Sequence, residues 1–107
     1  MAYGTRGAGA GSIVTLSEGF SLLDGGPGTV KKLPNFARRF CVQPKDEALL
    51  GAGLEIEELT PNNALLRTYK PQSSTVFRTI ANDVTTLRVK GPPATPLEGV
   101  LIFELCL

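Results

Sequence analysis

The sequence predicts a mainly β protein: a small antiparallel β-sandwich or barrel of the jelly-roll kind. We expect an extended N-terminal arm and at most one short helix, at about residues 45–51. Short stretches alternate apolar and polar residues, as half-buried strands do. Turn clusters rich in Gly, Pro, Asn and Asp separate these stretches roughly every 8–12 residues. The 12 glycines and 8 prolines exceed their usual share in a chain of 107 residues, which favours many turns.

Residues 1–12, MAYGTRGAGAGS, are predicted to form the arm, and residues 13–107 a single β domain. Seven of the twelve arm residues are Gly or Ala. Such a segment has too little apolar surface for a core, and its glycines make ordering costly in entropy. We expect the large side chains of Tyr3 and Arg6 to contact the groove of a neighbouring subunit.

The β domain begins with two predicted strands. Residues 12–23, SIVTLSEGFSLL, form a β-branched run that continues with alternating apolar residues. After a turn rich in Gly and Pro, FARRFCVQ at 36–43 predicts a strand with Phe36, Phe40 and Val42 on its core face.

The middle of the chain carries the helix candidate and two further strands. PKDEALLGAG at 44–53 has a proline at its start, acidic residues in its first turn and a glycine near its end. LEIEEL at 54–59 predicts a strand whose leucine and isoleucine point inward and whose Glu55 and Glu57 point to solvent. ALLRTYK at 64–70 predicts another strand after a turn.

The strongest local pattern is TVFRTIANDVTTLRVK at 75–90, which predicts a β-hairpin turning at Asn82-Asp83. In that register four apolar side chains share the core face: Val76, Ile80, Leu87 and Val89.

The C-terminal strand, EGVLIFELCL at 98–107, is apolar on both faces. Such a strand is either central in a sandwich or pressed against a neighbouring subunit. For the second case we expect four side chains to contact a partner: Leu101, Phe103, Leu105 and Leu107.

Charge is unevenly distributed although the net charge is only +1. A basic patch on one copy could meet an acidic patch on another, and the alternative is two solvated strand faces. This candidate charged interface comprises Lys31, Lys32, Arg38 and Arg39 on the basic side and Glu55, Glu57 and Glu58 on the acidic side.

The basic residues also interleave with Phe36 and Phe40, a composition typical of single-strand nucleic-acid surfaces. Because both rings are predicted to face the core, and because the net charge is small, we expect no nucleic-acid partner.

The sequence shows no catalytic signature. It contains no histidine, which excludes His-based triads and His-containing zinc sites. GAGAGS at 7–12 follows no strand and lacks the third glycine of a dinucleotide loop, and GGPGTVKK at 25–32 lacks the order of a phosphate loop. The acidic cluster could hold a cation or form a carboxylate pair, but a solvent-facing strand explains it better. We therefore expect no enzymatic activity, no cofactor, no metal and no small-molecule substrate.

Two further sequence features concern the cell compartment. The N-terminus lacks the apolar segment of a signal peptide, and no apolar run has the length of a membrane span, so we expect no membrane partner. Cys41 and Cys106 are predicted to be buried free thiols, with a disulfide as the alternative if the product leaves the cell.

The chain resembles small bacteriophage virion proteins, namely capsid decoration or cement proteins and small tail-associated β-domains. The resemblance lies in the Gly/Ala-rich arm, the following SIVTLSEGFSLL and the terminal VLIFELCL. The resemblance implies a structural protein of the virion, assembled in the host cytoplasm, which decorates or stabilises a capsid through its arm and terminal strand. It implies copies of the chain itself, with a trimer favoured, and other virion proteins as partners. The alternative is a tail-associated receptor- or carbohydrate-binding β module.

Overall fold

The computed structural model describes residues 12–22 and 28–107 and places them in two antiparallel four-stranded sheets. The strands are β1 (Ile13–Leu22), β2 (Thr29–Lys32), β3 (Ala37–Pro44), β4 (Glu55–Leu59), β5 (Leu65–Tyr69), β6 (Arg78–Thr79), β7 (Thr86–Lys90) and β8 (Leu97–Cys106). The predicted β-sandwich is thereby confirmed. Apart from Ser12, the predicted arm lies outside the described residues, and so do Tyr3 and Arg6.

The strand order is that of a jelly roll. One sheet has the order β1-β8-β3-β6, and the other has the order β2-β7-β4-β5. The pairs are nested, since β1 pairs with β8, β2 with β7, β3 with β6 and β4 with β5. This nesting is an antiparallel ladder folded over into two sheets, which confirms the predicted jelly-roll character.

The core lies between the two sheets. β8 is central in the first sheet, and its inward side chains pack with those of β3 across from β4 and β7 of the second. Each buried side chain contributes about 1.5–3 kcal/mol of hydrophobic stabilisation. The side chains that are at most 1% exposed include Phe40, Val42, Leu101 and Phe103 from the first sheet and Ile56, Leu87 and Val89 from the second.

The predicted hairpin over 75–90 is wrong. β6 pairs with β3 in the first sheet, whereas β7 pairs with β2 and β4 in the second. The segment between β6 and β7 therefore crosses from one sheet to the other. Val76 is 55% exposed and does not share a buried face with Leu87 and Val89. The alternation identified the apolar faces correctly on β7, but alternation carries no information about which strand lies alongside.

Two smaller points concern β2, which was missed, and the helix, which agrees with expectation. The four-residue β2 was not predicted, because its sequence TVKK has no run of alternating apolar residues. Among the described residues, helical structure is limited to one 3-10 turn, Glu47–Leu49, which is consistent with at most one short helix. The carboxylate of Asp46 caps this turn by accepting a hydrogen bond from the Ala48 N–H at 3.1 Å. Over the same described part of the chain, no helix is long and apolar enough to cross a bilayer.

Candidate interaction surfaces

The first candidate surface is the N-terminal half of β1, a ten-residue strand at the edge of its sheet. Val14 and Leu16 pair with Leu105 and Phe103, so their side chains point to the inner face of the sheet. They nevertheless remain 40% and 38% exposed. Ile13, on the opposite face, is 69% exposed.

The C-terminus extends this surface. The N–H of Leu107 donates a hydrogen bond to the carbonyl of Ser12 at 2.9 Å, which places Leu107 beside the start of β1. Leu107 is 57% exposed. Ile13, Val14, Leu16 and Leu107 together are called the apolar edge below.

The predicted partner contacts on the terminal strand divide into two groups. Leu101 and Phe103 are fully buried in the core, so their assignment to a partner surface is wrong. The reason is that β8 is central, and its inward face is covered by the second sheet of the same chain. Leu105 is half-buried against the core, whereas Leu107 is exposed and available.

The acidic side of the predicted charged interface is largely used inside the fold. Glu57 is only 9% exposed, because Arg88 and Lys90 of β7 lie 2.8 and 3.5 Å from its carboxylate. The expectation that it faces open solvent is therefore wrong. Glu55 is half-buried, and its carboxylate lies 4.0 Å from the Lys70 ammonium.

Glu58 departs furthest from expectation, since it is 1% exposed. Its carboxylate accepts hydrogen bonds from Arg78 at 2.7 and 3.2 Å and from Arg67 at 3.0 Å. Burial raises the pKa of the Glu58 carboxyl, but the two arginines outweigh burial and hold this pKa below its ordinary value. Because Arg78 belongs to the other sheet, the ion pair ties the two sheets together.

The sequence contained a signal for the ion-pair cluster of Glu58, Arg67 and Arg78. By strict alternation, Glu58 shares a face with Leu54 and Ile56, and an acid on an apolar face indicates a buried partner. Arg78 likewise lies on a face predicted to be apolar. The guanidinium of Arg78 also lies 4.6 Å from the centre of the Tyr69 ring.

The basic side of the predicted interface is divided as well. Arg39 is engaged by Glu104 at 2.6 Å and lies 5.3 Å from the centre of the Phe77 ring. Lys31 is half-buried, while Lys32 and Arg38 are exposed. No described residue places a carboxylate within 4.0 Å of the side-chain nitrogens of these last three.

The second candidate surface is a cleft of about 510 Å³ between residues 32–38 and residues 80–85. It contains Lys32 and Arg38, and it is called the basic cleft below. Phe36 lines it with 64% of its surface exposed, which corrects the prediction that this ring faces the core.

The backbone explains why Phe36 is exposed. Phe36 precedes β3 in a turn closed by a 3.3 Å hydrogen bond from the Ala37 N–H to the Pro34 carbonyl. Its φ is +68°, in the left-handed region that costs a non-glycine residue about 1–2 kcal/mol. The turn therefore directs the ring away from the core.

Metal-ligating groups and the two cysteines were the remaining candidates for a chemical site. Within residues 12–22 and 28–107, no group of three or more Cys, Asp and Glu side chains could hold a metal ion. Cys41 and Cys106 are both free, and the Cys41 thiol donates a hydrogen bond to the Ser74 carbonyl at 2.9 Å. Burial raises the pKa of the Cys41 thiol, although a backbone hydrogen bond partly opposes the shift.

Fold and surfaces together define a small jelly-roll domain with an apolar edge and a basic cleft. Comparisons with protein-family models, curated proteins and solved structures found no match. The apolar edge and the basic cleft are therefore the features from which a function can be inferred.

Proposed function

We propose that this chain is a non-enzymatic structural component of a virus particle, which decorates or stabilises a capsid. In this proposal the apolar edge and the arm contact copies of the same chain and other virion proteins, after assembly in the host cytoplasm. The observation that carries the proposal is the exposed apolar surface along β1.

The edge of β1 is unusual for a protein that acts alone. An edge strand presents backbone N–H and C=O groups to any strand that approaches, and proteins usually protect such edges with charges, prolines or short strands. β1 is ten residues long, contains no proline and carries one charged residue, Glu18. Because its first two residues, Ile13 and Val14, are also exposed, this strand is suited to pair with another subunit.

The fold adds independent support. Viral capsid domains are among the proteins built on jelly rolls, although a fold by itself does not determine a function. Residues 1–12 lead directly into β1, so an arm that carries Tyr3 and Arg6 would start at the same surface. If such an arm becomes ordered only on assembly, the new contacts offset the entropy cost of ordering it.

Assembly can be tested with two variants measured by light scattering after size-exclusion chromatography. Deletion of residues 2–11 and the double substitution V14S/L16S should each reduce the oligomer, with circular dichroism showing an intact β domain. The matched control is Leu65→Ser, which removes a side chain 55% exposed on the edge strand β5 of the other sheet and should leave assembly unchanged. If the truncated chain assembled normally, the role of the arm would be contradicted. If V14S/L16S assembled normally, the role of the apolar edge would be contradicted.

A second candidate function is a tail-associated receptor- or carbohydrate-binding module. Lectin domains also adopt jelly rolls, and the exposed Phe36 ring beside a cleft offers a flat apolar surface for a sugar ring. A screen of glycans and host surfaces distinguishes the two functions, because binding would support the module and an empty screen would count against it.

A further inference from the structure

We propose that the basic cleft binds single-stranded nucleic acid. In this arrangement a base stacks on the Phe36 ring, while Lys32 and Arg38 bind backbone phosphates. We expected no nucleic-acid partner from the sequence, because Phe36 and Phe40 were predicted to face the core and because the net charge is small. Phe40 is buried as predicted, but Phe36 is exposed. The proposal does not depend on the apolar edge.

The conformation of Phe36 is the first support. Glycine or asparagine would adopt this left-handed conformation at a lower cost in conformational energy than phenylalanine. A buried phenylalanine would also keep its apolar ring out of water. The chain instead holds an aromatic side chain 64% exposed at φ +68°. Strained backbone that persists in a fold is often found at binding sites, because there the side chain's position is useful.

The charge of the cleft is the second support. None of the described residues that line it carries a carboxylate. Asp83 lies next to Asn82 in the chain, but Arg67 binds the Asp83 carboxylate at 2.8 Å and so compensates its charge. The groups able to contact a nucleotide are Lys32, Asn35, Phe36, Arg38, Asn82 and Thr85.

This set of side chains favours nucleic acid over other anions. Phosphates are bound by Lys and Arg, base faces stack on aromatic rings, and amide side chains can hydrogen-bond to base edges. An acidic peptide would use the two cations but would leave the ring without a specific partner. The volume of about 510 Å³ is within the usual range for sites that hold small ligands.

The walls of the cleft are held in place before any ligand arrives. The Leu33 N–H donates to the Thr85 carbonyl at 3.0 Å, and the Ile80 N–H donates to the Arg38 carbonyl at 2.9 Å. The Cys106 N–H donates to the Phe36 carbonyl at 2.9 Å, which anchors the turn to β8. A preorganised site loses less conformational entropy on binding.

The test measures binding of a fluorescent oligothymidylate of roughly 10 nucleotides by anisotropy at low salt. Phe36→Gly should weaken binding about fivefold or more through lost stacking, whereas Phe36→Tyr should retain it. Glycine accommodates the left-handed turn, so Phe36→Gly should fold. With two phosphates contacted, the log–log slope of affinity against salt should be about −1.4, and Arg38→Gln should reduce its magnitude by about 0.7.

Lys45→Gln is the matched charge control, since Lys45 is 81% exposed and lies after the opposite end of β3. It should change neither affinity nor slope. Lack of binding by the unmodified protein, or unchanged binding by Phe36→Gly, would overturn the proposal. Equal competition by a sulfated glycan of the same charge would also overturn it, in favour of a carbohydrate site.

Discussion

The guanidinium of Arg78 on β6 donates two hydrogen bonds to the carboxylate of Glu58 on β4, at 2.7 and 3.2 Å, and thereby joins the two sheets. The Glu58 side chain is 2% exposed, so this carboxylate depends on its partners for stabilisation. Arg67 supplies a third hydrogen bond from β5. The cluster closes the side of the sandwich at β6, where the strand itself has only two residues.

Removal of Arg78 should therefore destabilise the fold strongly. Arg78→Leu leaves a buried carboxylate with one arginine, and we expect the free energy of unfolding to fall by about 3 kcal/mol. The double variant E58L/R78L should recover part of this loss, because no buried charge is left. Urea unfolding followed by circular dichroism measures both. Lys45→Leu, which breaks an exposed pair, is the control and should cost about 0.5 kcal/mol or less. A loss that small in Arg78→Leu would contradict a structural role for the pair.

The lowered pKa of Glu58 predicts a pH dependence of stability. A carboxyl whose pKa is lower in the folded state than in the unfolded state stabilises the fold above the unfolded value, which is about 4.3 for Glu. This contribution is lost as the pH falls from about 5 through the folded pKa. Glu58→Gln should therefore show a flatter decline of unfolding free energy below pH 5 than the unmodified protein. Glu98→Gln, at an exposed position, should retain the steeper decline. Identical profiles for all three proteins would contradict the prediction.

The turn at Phe36 predicts an unusual gain of stability. Phe36→Gly relieves about 1–2 kcal/mol of left-handed strain and adds about 0.5–1 kcal/mol of unfolded-state entropy. We expect a net rise of roughly 0.5–1 kcal/mol in the free energy of unfolding. Asn35→Gly, at the preceding position of the same turn, has no such strain to relieve and should lower stability. A loss in Phe36→Gly as large as in Asn35→Gly would mean that the ring itself stabilises the fold.

Gly99 predicts a steric requirement at the centre of the first sheet. A Cβ at this position would lie 2.5 Å from the Gln43 carbonyl oxygen and 2.8 Å from both the Phe20 ring and the Pro44 backbone. Gly99→Ala should therefore lower the free energy of unfolding by about 1–3 kcal/mol, the usual cost of overpacking. Gly19→Ala on β1 is the matched control, because its nearest neighbouring atom would be 3.9 Å away. Equal thermal stability of the two variants would contradict the prediction.

Most strands could be predicted from alternation, and the reason lies in local chemistry. β1, β3, β4, β5 and β8 lie within two residues of their predicted ranges, since each alternates apolar residues between recognisable turns. β2 could not be predicted in this way, because it is a four-residue edge strand with two lysines. The hairpin over 75–90 failed because an alternating pattern fits any neighbouring strand that presents a compatible face.

The candidate surfaces were less predictable. Leu101, Phe103 and Leu107 were all predicted to contact a partner. Leu107 is exposed, but Leu101 and Phe103 point into the core because β8 is central. Phe36 was assigned to the core by its spacing from Phe40, and a left-handed turn reverses its direction. Glu58 was assigned to solvent together with its acidic neighbours, although its spacing from Ile56 already placed it on the apolar face.

By itself, the sequence determined that this chain is an antiparallel β protein with one core and at most a trace of helix. Side-chain alternation and turn residues are local properties, and they suffice for that conclusion. Only the tertiary structure decided the nested strand order, the central position of β8, the tie between Glu58 and Arg78, and the exposure of Phe36. These features depend on which segments meet across the sandwich, and such contacts join residues far apart in the chain whose pairing no local pattern specifies.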